Sequence, residues 1–568
     1  MFVGFQSKAA AVPASQPRAV FAVQCFFRLA ILAFALLDTW FCRYYMGPDG
    51  VSYMDMGDSY WKGDWHSALS TYWSPLYAWM TALLFHATHP SMRWEFPEVH
   101  LLNLAILIAA LFCFEFFWRE LLASDCDLAV TAPGSAWAIG YLLFLYIHVR
   151  SERFSIVTPD LAVAALVYLA MAMMLRFKAG KMNAAGAVTF GVLLGAGYLA
   201  KAAMLPFAIL MIATMAAVAP RQRRGKVLVA VTLLALLAVS VPYIAAISCN
   251  AHRLTIGDSG KFNVAWEVNA VKPRYRHWQP EAASGTLPEH TTRKLLNWPE
   301  VYEFATPISG TYPVWFDPTY WYAGVDTHMH PAREARIFSR NLLQFASLTH
   351  TGAGLPTIVV LAMLLLGGSI NASWRKLLAF WPILAPSFAF FAMYAMVYWE
   401  GRYTSGVLLA VCGVITASAT FANASRRIIA TRAAILILCA LGIWRVAVTL
   451  RDDLRASRIW AQPVAAAEQL RSMGLQPGDR VALIGDGFVA YWARLDRVRI
   501  VAELPRDDRD LPNSAAAFWT ATPQVEETVL DALKSTGAVA VVSDAAPQTL
   551  PPGWTAVGAT GRAVYFFR

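Results

Sequence analysis

The loop that follows the first long apolar run concentrates carboxylates in an unusual place. Residues 47–79 read GPDGVSYMDMGDSYWKGDWHSALSTYWSPLYAW and hold four aspartates among many aromatic side chains, namely Asp49, Asp55, Asp58 and Asp64. Acidic groups beside a membrane are costly, so a use for them is expected. A partly desolvated carboxylate can take a proton from a hydroxyl or an amine. This predicts that the loop carries the catalytic carboxylate of a membrane enzyme.

Asp49 is the main candidate for that role. It lies a few residues beyond the apolar run, and Tyr53 follows four residues later, on the same face if the segment is helical. The alternative is structural, because the PDG sequence with Ser52 also suits a turn or a helix N-cap. Asp55 and Asp58 are alternative carriers of the same chemistry.

A second group of charges lies in RSERFSIVTPD, at residues 150–160. Its last three residues predict a helix start, since Thr158 can cap the helix and Asp160 complements the helix dipole. That structural interpretation does not account for the mixed charges gathered beside Asp160, which are Arg150, Glu152 and Arg153. Together they suit an anionic head group and a second carboxylate.

Two further cations lie at predicted helix ends. Lys201, in GVLLGAGYLAKAAMLPF, separates two short apolar segments and must snorkel, pair or bind an anion. In EGRY, Glu400 can simply pair with Arg402, but the planar guanidinium also suits a phosphate, with Tyr403 packing at the interface. The HxH pair of the second long loop is a weak metal signal, and no metal ligand is predicted from it.

The composition predicts a polytopic α-helical membrane protein. Of 568 residues, 57% are hydrophobic and 15% charged, and the mean hydropathy is +0.45. A soluble surface cannot be built from so few polar groups. The net charge of +10 falls largely in short clusters between apolar runs, where it indicates membrane orientation rather than nucleic-acid binding. The seven scattered cysteines support neither a zinc site nor a disulfide framework.

About eleven apolar stretches predict membrane-spanning helices. They lie near 20–42, 99–118, 132–149, 158–176, 186–200, 203–218, 227–247, 353–370, 377–397, 403–420 and 428–449. The two stretches beside Lys201 could instead form one bent or re-entrant element. Basic clusters in the short loops then fall on one face, which the positive-inside rule assigns to the cytoplasm together with residues 1–19. All the candidate site residues fall on the opposite, outer face.

The transmembrane domain therefore covers residues 20–450, with long outer loops at 43–98 and 248–352. The aromatic first loop suits short interfacial helices, and the second is expected to form a partly ordered lid. From 455 to 568 the pattern changes, and RVALIG, VRIVAEL, AVAVVS and AVYFFR predict strands between helices. This indicates a small extracytoplasmic α/β domain. Its IGDG turn lacks the GxGxxG spacing and predicts no nucleotide site.

The motifs together resemble the GT-C superfamily of integral-membrane glycosyltransferases, specifically the bacterial branch related to protein O-mannosyltransferases and the lipid A aminoarabinose transferase. The resemblance rests on the acidic motif PDGVSYMDMGDSY, the TPD helix start, the Gly-rich segment GVLLGAGYLAK and the EGRY turn. It runs from about residue 20 to about residue 420. One departure is Asp49-Gly50, where many relatives have Asp-Glu, so the neighbouring carboxylate is missing.

The resemblance implies transfer of a sugar from a polyprenyl-phosphate donor to a lipid, glycan or protein acceptor, by an inverting displacement on the periplasmic face of the inner membrane. Asp49 would be the general base, and Asp160 or Glu152 the second carboxylate near the donor or, in members that use one, near a divalent metal ion. Lys201 and Arg402 would neutralise the leaving phosphate. The predicted substrate-binding residues are Tyr53, Asp55, Asp58, Arg150, Arg153, Lys201, Glu400, Arg402 and Tyr403.

Two other classes of protein stay open at this point. A transporter or flippase of a lipid-linked or anionic substrate would also place charges at helix ends and use broken helices. Against it, the charges cluster on the outer face instead of the midplane, and no inverted repeat is evident. A non-catalytic membrane scaffold, whose tail binds cell-envelope partners, would leave those charges unexplained.

Overall fold

In the computed structural model of the chain, every predicted apolar stretch overlaps a helix. The structure describes residues 16–124, 126–151, 154–219, 223–269, 271, 289–304, 308–346, 354–506 and 514–567. The helices up to residue 460 are α1 (Gln16–Phe41), α2 (Pro48–Lys62), α3 (Trp65–Ala68), α4 (Pro75–Thr88), α5 (Met92–Leu122), α6 (Asp127–Thr131), α7 (Pro133–Ser151), α8 (Asp160–Lys178), α9 (Ala184–Ala200), α10 (Met204–Val218), α11 (Arg223–Asn250), α12 (Ser259–Asn263), α13 (Pro313–Phe316), α14 (Pro318–Trp321), α15 (Pro331–Ala346), α16 (Gly354–Leu366), α17 (Ile370–Ala379), α18 (Trp381–Ala395), α19 (Gly401–Ser418) and α20 (Ala424–Trp460).

Several of these helices have the length and composition of membrane spans. Within the described ranges, α1, α5, α8, α11 and the stretch Ala424–Ser472 are long and apolar enough, and α17 with α18, bent by 75°, would add a sixth if they form one span. Helices α7, α9, α10 and α16 are apolar but shorter. The chain is thus a multi-pass helical membrane protein. The expected count of about eleven spans is not confirmed, because the shorter helices fall below the length of a full crossing.

The first long loop, residues 43–98, folds into α2, α3 and α4 against the ends of the apolar helices. Helix α2 begins at Pro48, whose fixed φ suits the first helical position, and it ends at Gly63 with a left-handed φ of 74°. Asp49 therefore lies in its first turn, where a carboxylate complements the helix dipole. Asp64 accepts a hydrogen bond from the backbone N–H of Ser67 at 3.2 Å and caps α3.

The C-terminal region forms a seven-stranded sheet with helices packed against it. Its strands are β1 (Arg293–Asn297), β2 (Glu300–Glu303), β3 (Arg480–Gly485), β4 (Arg499–Pro505), β5 (Ala540–Ser543), β6 (Trp554–Ala556) and β7 (Ala563–Phe566), and its helices are α21 (Gln462–Ser472), α22 (Tyr491–Asp496), α23 (Ser514–Trp519) and α24 (Pro523–Ser535). The spatial order is β1-β2-β4-β3-β5-β7-β6, with β4, β3 and β5 parallel. The four predicted strands form, and β1 and β2 of the second outer loop extend the same sheet.

A buried ionic cluster joins this sheet domain to the membrane domain. Arg494, at 2% exposure in α22, donates to Asp55 at 2.6 Å, to Asp58 at 2.7 Å and to Glu95 at 2.6 Å. The adjacent Arg497 donates to Glu95 at 2.8 Å and also binds Asp58. Two arginines of one domain are thus held by three carboxylates from α2 and α5.

A buried carboxyl group in the interior strand β4 makes stability depend on pH. Tyr312 donates its hydroxyl to Glu503 at 2.7 Å, and burial together with Asp486 raises the pKa of Glu503 to about 8. Between its ordinary value of 4.5 and about 8, the folded chain keeps a proton that the unfolded chain has released. The free energy of unfolding therefore falls with rising pH across this window, by at most about 1.4 kcal/mol per pH unit from this group.

Glu503→Gln is expected to remove that contribution, because the amide imitates the protonated carboxyl at every pH. The melting temperatures of the two proteins should agree most closely near pH 5, and the variant should become the more stable one as the pH approaches 8. Thermal unfolding in detergent across this range measures the difference. Parallel curves for the two proteins would contradict the raised pKa.

Candidate active site

Four of the predicted charged residues meet at one place, although they come from four separate elements. Arg402 reaches Asp160 with its Nη1 at 3.4 Å and Asp49 with its Nη2 at 3.7 Å. Lys201 donates to the other oxygen of Asp160 at 2.5 Å. Asp49 lies in the first turn of α2, Asp160 begins α8, Lys201 follows α9, and Arg402 lies in the first turn of α19. Two cations and two carboxylates therefore alternate across helix ends that face one another.

Asp160 organises the two cations. Its side chain is 4% exposed, and Thr158 donates a hydroxyl hydrogen bond to the same oxygen that faces Arg402, at 3.0 Å. The expectation that Thr158 caps the helix is wrong, because Pro159 holds the N-cap position and the Thr158 hydroxyl binds the carboxylate instead. With both oxygens occupied, Asp160 is built to hold Lys201 and Arg402 and less suited to receiving a proton.

The EGRY turn places its three polar side chains together. Arg402 donates its Nε–H to Glu400 at 2.5 Å, so the local pairing that was one alternative in the sequence is present. Its Nη2 donates to the hydroxyl of Tyr403 at 3.3 Å. The ammonium of Lys201 lies 3.6 Å from the centre of the Tyr403 ring, in cation–π contact. Because the pair with Glu400 uses Nε, the Nη2 and Nη1 atoms of Arg402 are directed toward Asp49 and Asp160.

Two cavities adjoin at this cluster. The first, of about 300 Å³, is lined by charged Asp49, Asp160, Lys201 and Arg402 and by apolar walls that include Pro206, Met393 and Val397. The second, of about 340 Å³, is lined by Asp49, Glu400 and Arg402 and by the aromatic residues Tyr45, Tyr72, Trp266, Trp315, Tyr398, Tyr403 and Phe488. Asp49 and Arg402 line both. A reacting group in either cavity would meet the same carboxylate and the same guanidinium.

Asp49 keeps one oxygen available for chemistry. Its side chain is 28% exposed, and Trp315 donates its indole N–H to Oδ1 at 3.1 Å. Among the described residues, Arg402 forms an ion pair with Oδ2 at 3.7 Å, which is longer than a direct hydrogen bond. A carboxylate held on one side and open on the other is the arrangement that a general base requires.

The other predicted site residues have different positions. Tyr53 lines the first cavity, whereas Asp55 and Asp58 line neither of the two and are bound by Arg494 instead. The predicted Glu152 and Arg153 lie outside the described residues, as does the side chain of Arg150. His328 and His330, which were not included in the predicted site, line neither cavity.

Several lining residues were not found from the sequence. Asn263 and Trp266 come from α12 and the single π-helical turn Val264–Val268, Trp315 comes from α13, and Phe488 comes from the C-terminal domain. Of these four residues, Trp315 lies in the aromatic-rich TPISGTYPVWFDPTYWYAG, and no sequence pattern marked Asn263, Trp266 or Phe488. Rules of sequence spacing cannot place an aromatic side chain in a site when the other residues of that site lie hundreds of positions away.

The cavity carboxylates do not fit a divalent metal ion. Asp49 and Asp160 are separated by the guanidinium of Arg402, so an added cation would meet a positive charge there. In the described part of the chain, a buried group elsewhere has candidate ligand atoms within 4.8 Å of one another, formed by Asp38, Cys42 and Asp453. None of these three lines either cavity, and no chemical step is assigned to a metal.

Comparison with solved structures places this architecture among known folds. Two structures of ArnT from Cupriavidus metallidurans match, each with a TM-score of 0.50 and 13% identity. The match to the apo state covers 95% of this chain and 98% of that one. The match to the structure bound to undecaprenyl phosphate covers 94% of this chain and 97% of that one. The oligosaccharyltransferase AglB from Archaeoglobus fulgidus, in complex with an inhibitory peptide and a dolichol-phosphate, matches more distantly, with a TM-score of 0.46 and 13% identity over 92% of this chain and 70% of that one.

No family model matches the sequence, and no curated protein sequence matches it significantly. Because the identity to the solved structures is low, the likeness to ArnT concerns the architecture alone. That architecture agrees with the motif order of the sequence, which predicted the same fold. The chain therefore has the GT-C fold.

Proposed function

We propose that this protein is a membrane glycosyltransferase, which transfers a sugar from a polyprenyl-phosphate donor to an acceptor on the outer face of the inner membrane. The observation that carries the proposal is the position of Asp49 between the two cavities, with one oxygen held by Trp315 and the other open. The donor would occupy the first cavity and the acceptor the second. Asp49 is the group that both could reach.

The reaction that suits this geometry is a single inverting displacement. Asp49 takes the proton of the acceptor hydroxyl or amine as that atom attacks the anomeric carbon, and the bond between this carbon and the phosphate oxygen breaks. Lys201 and Arg402 neutralise the charge that develops on the leaving phosphate. Asp160 holds both cations in place, through contacts at 2.5 Å and 3.4 Å.

The walls of the first cavity support a lipid-linked donor. Apolar side chains lie beside the two cations, as a polyprenyl chain joined to a phosphate requires. ArnT, which has the same fold, has been crystallised with undecaprenyl phosphate.

A transfer assay tests the proposal. Purified protein in proteoliposomes is given a panel of synthetic polyprenyl-phosphate sugars with lipid, glycan and peptide acceptors, and release of the polyprenyl phosphate is measured together with sugar transfer. Release that depends on the protein is expected for at least one donor. Transmembrane movement of a donor without bond cleavage would instead support the transporter alternative.

Lys201→Met is expected to weaken binding of polyprenyl phosphate by about tenfold to a hundredfold, the usual worth of a hydrogen bond to a charged group. The substitution keeps the length and apolar stem of the side chain, and Arg402 and Thr158 still bind Asp160. Native mass spectrometry with undecaprenyl phosphate measures the affinity. The matched control is Lys261→Met, because exposed Lys261 in the neighbouring α12 lines neither cavity. Equal affinity in both variants would remove Lys201 from the phosphate site.

A further inference from the structure

The segment Thr311–Phe316 lies across the helix that carries Asp49. Trp315 donates its indole N–H to Asp49 at 3.1 Å, Ser52 donates its hydroxyl to the backbone carbonyl of Trp315 at 3.1 Å, and Thr311 donates its backbone N–H to Asp55 at 2.7 Å. Asp49, Ser52 and Asp55 are spaced three residues apart, so they share one broad face of α2. The segment therefore contacts three successive positions on the face that begins with Asp49.

The indole of Trp315 is itself held by other rings. It is 9% exposed and lies among Tyr72, Trp73, Trp266 and Phe488, at centroid distances of 5.2 to 6.0 Å. Trp73 also donates its own indole N–H to the carbonyl of Phe316 at 3.0 Å. A ring fixed on several sides keeps its N–H in one direction, which is what orients the carboxylate it binds.

The C-terminal domain supports the same segment from the other side. The backbone N–H of Ile500 donates to the carbonyl of Thr311 at 2.9 Å, and Tyr312 donates its hydroxyl to Glu503 at 2.7 Å. Asp55, which binds Thr311, is also bound by Arg494. The strand β4 and the helix α22 thus fix the position of a segment whose indole reaches the first turn of α2.

We propose that Trp315 is a positioning residue for the proposed general base, and that the C-terminal domain contributes to catalysis by holding Trp315 against Asp49. The inference rests on the proposed function. With its Oδ1 bound by the indole, the carboxylate can turn only its Oδ2 toward the acceptor. The titratable and charged groups around it are Arg402, Glu400 and Tyr403 of the EGRY turn, Tyr53 of α2, Asp160 of α8, Lys201 after α9 and Tyr491 of α22.

Trp315→Phe tests the proposal, since it keeps an aromatic ring and removes the N–H. In the full-length protein, kcat is expected to fall about tenfold to a hundredfold, with the KM for the lipid donor and the melting temperature unchanged. The acidic limb of the pH–rate profile should also move to higher pH, because a hydrogen bond that favours the charged carboxylate is lost. A merely structural role would lower the melting temperature and leave the limb in place.

The matched control is Trp266→Phe, because in the described chain the Nε1 of Trp266 has no hydrogen-bond partner. Its acidic limb should stay where it is in the wild type, whatever the rate. If Trp315→Phe does not fold, benzothienylalanine at position 315, which has the shape of tryptophan without the N–H, gives the same comparison. An unmoved limb in the position 315 variant overturns the proposal. An active Asp49→Asn variant would instead overturn the assignment of the base, so the two failures are distinguishable.

Discussion

Asp49→Asn is expected to lower the rate of sugar transfer by about a hundredfold to ten-thousandfold, the usual contribution of a general base. The amide has the shape of the carboxylate but cannot accept a proton at neutral pH. Its carbonyl oxygen can still accept the indole N–H of Trp315, so the local hydrogen bond survives. Binding of polyprenyl phosphate should change little, because the cations Lys201 and Arg402 remain. Transfer and lipid binding are measured on the same preparation.

The control for this variant is Asp64→Asn in the same outer loop. Asp64 caps the short helix α3, and asparagine is as good a cap, so neither the fold nor the rate should change. Transfer by Asp49→Asn at the rate of Asp64→Asn would contradict the role of Asp49 as the base. Loss of activity in both would point to damage to the loop as a whole.

The sequence located the charged residues of the site because each lies at a helix end. Asp160 and Arg402 lie in the first turns of helices that apolar runs predict, Lys201 follows such a helix, and Asp49 lies just beyond the first apolar run. The prediction for Asp55 and Asp58 rested on the acidic loop and not on a helix end. Helix α2 continues through both, and nine residues of an α-helix make two and a half turns, so Asp58 faces away from Asp49. An explicit helix at 48–62 would have placed Asp58 on the face opposite Asp49 and left Asp64 outside the helix.

The partners of those two aspartates could not be predicted from local pattern. Arg494 follows Asp55 by 439 residues and belongs to another domain, and nothing in YWARLD distinguishes it from a solvated helix arginine. Strands β1 and β2 raise the same difficulty. The sequence predicts a long loop at both positions. They form strands because β4 has backbone groups on one side that can pair with β2. Pairing over such distances depends on the assembled fold.

The cluster at Arg494 also predicts how the two domains depend on each other. Burial disfavours the charged form of Asp58, yet Arg494 and Arg497 outweigh it and hold the pKa of Asp58 below its usual value. Asp58 is therefore ionised at neutral pH. Removal of one partner from a buried ion pair leaves the other charges without compensation, which costs about 3 to 5 kcal/mol. Asp55, at 7% exposure, would bear most of this cost, because Arg497 still binds Glu95 and Asp58.

Arg494→Met is accordingly expected to destabilise the contact between the domains by about 3 to 5 kcal/mol, while the volume of the side chain is largely kept. Cleavage by a protease between the domains should become faster, and the melting temperature of the C-terminal domain should fall. The matched control is Arg93→Met, which breaks the exposed pair of Arg93 with Glu468 between the same two domains, at 66% and 35% exposure. Little change is expected there, because water screens an exposed pair. Equal proteolysis rates in the two variants would show that the buried cluster does not hold the domains together. The support that the C-terminal domain gives to the Trp315 segment would then have to come from β4 alone.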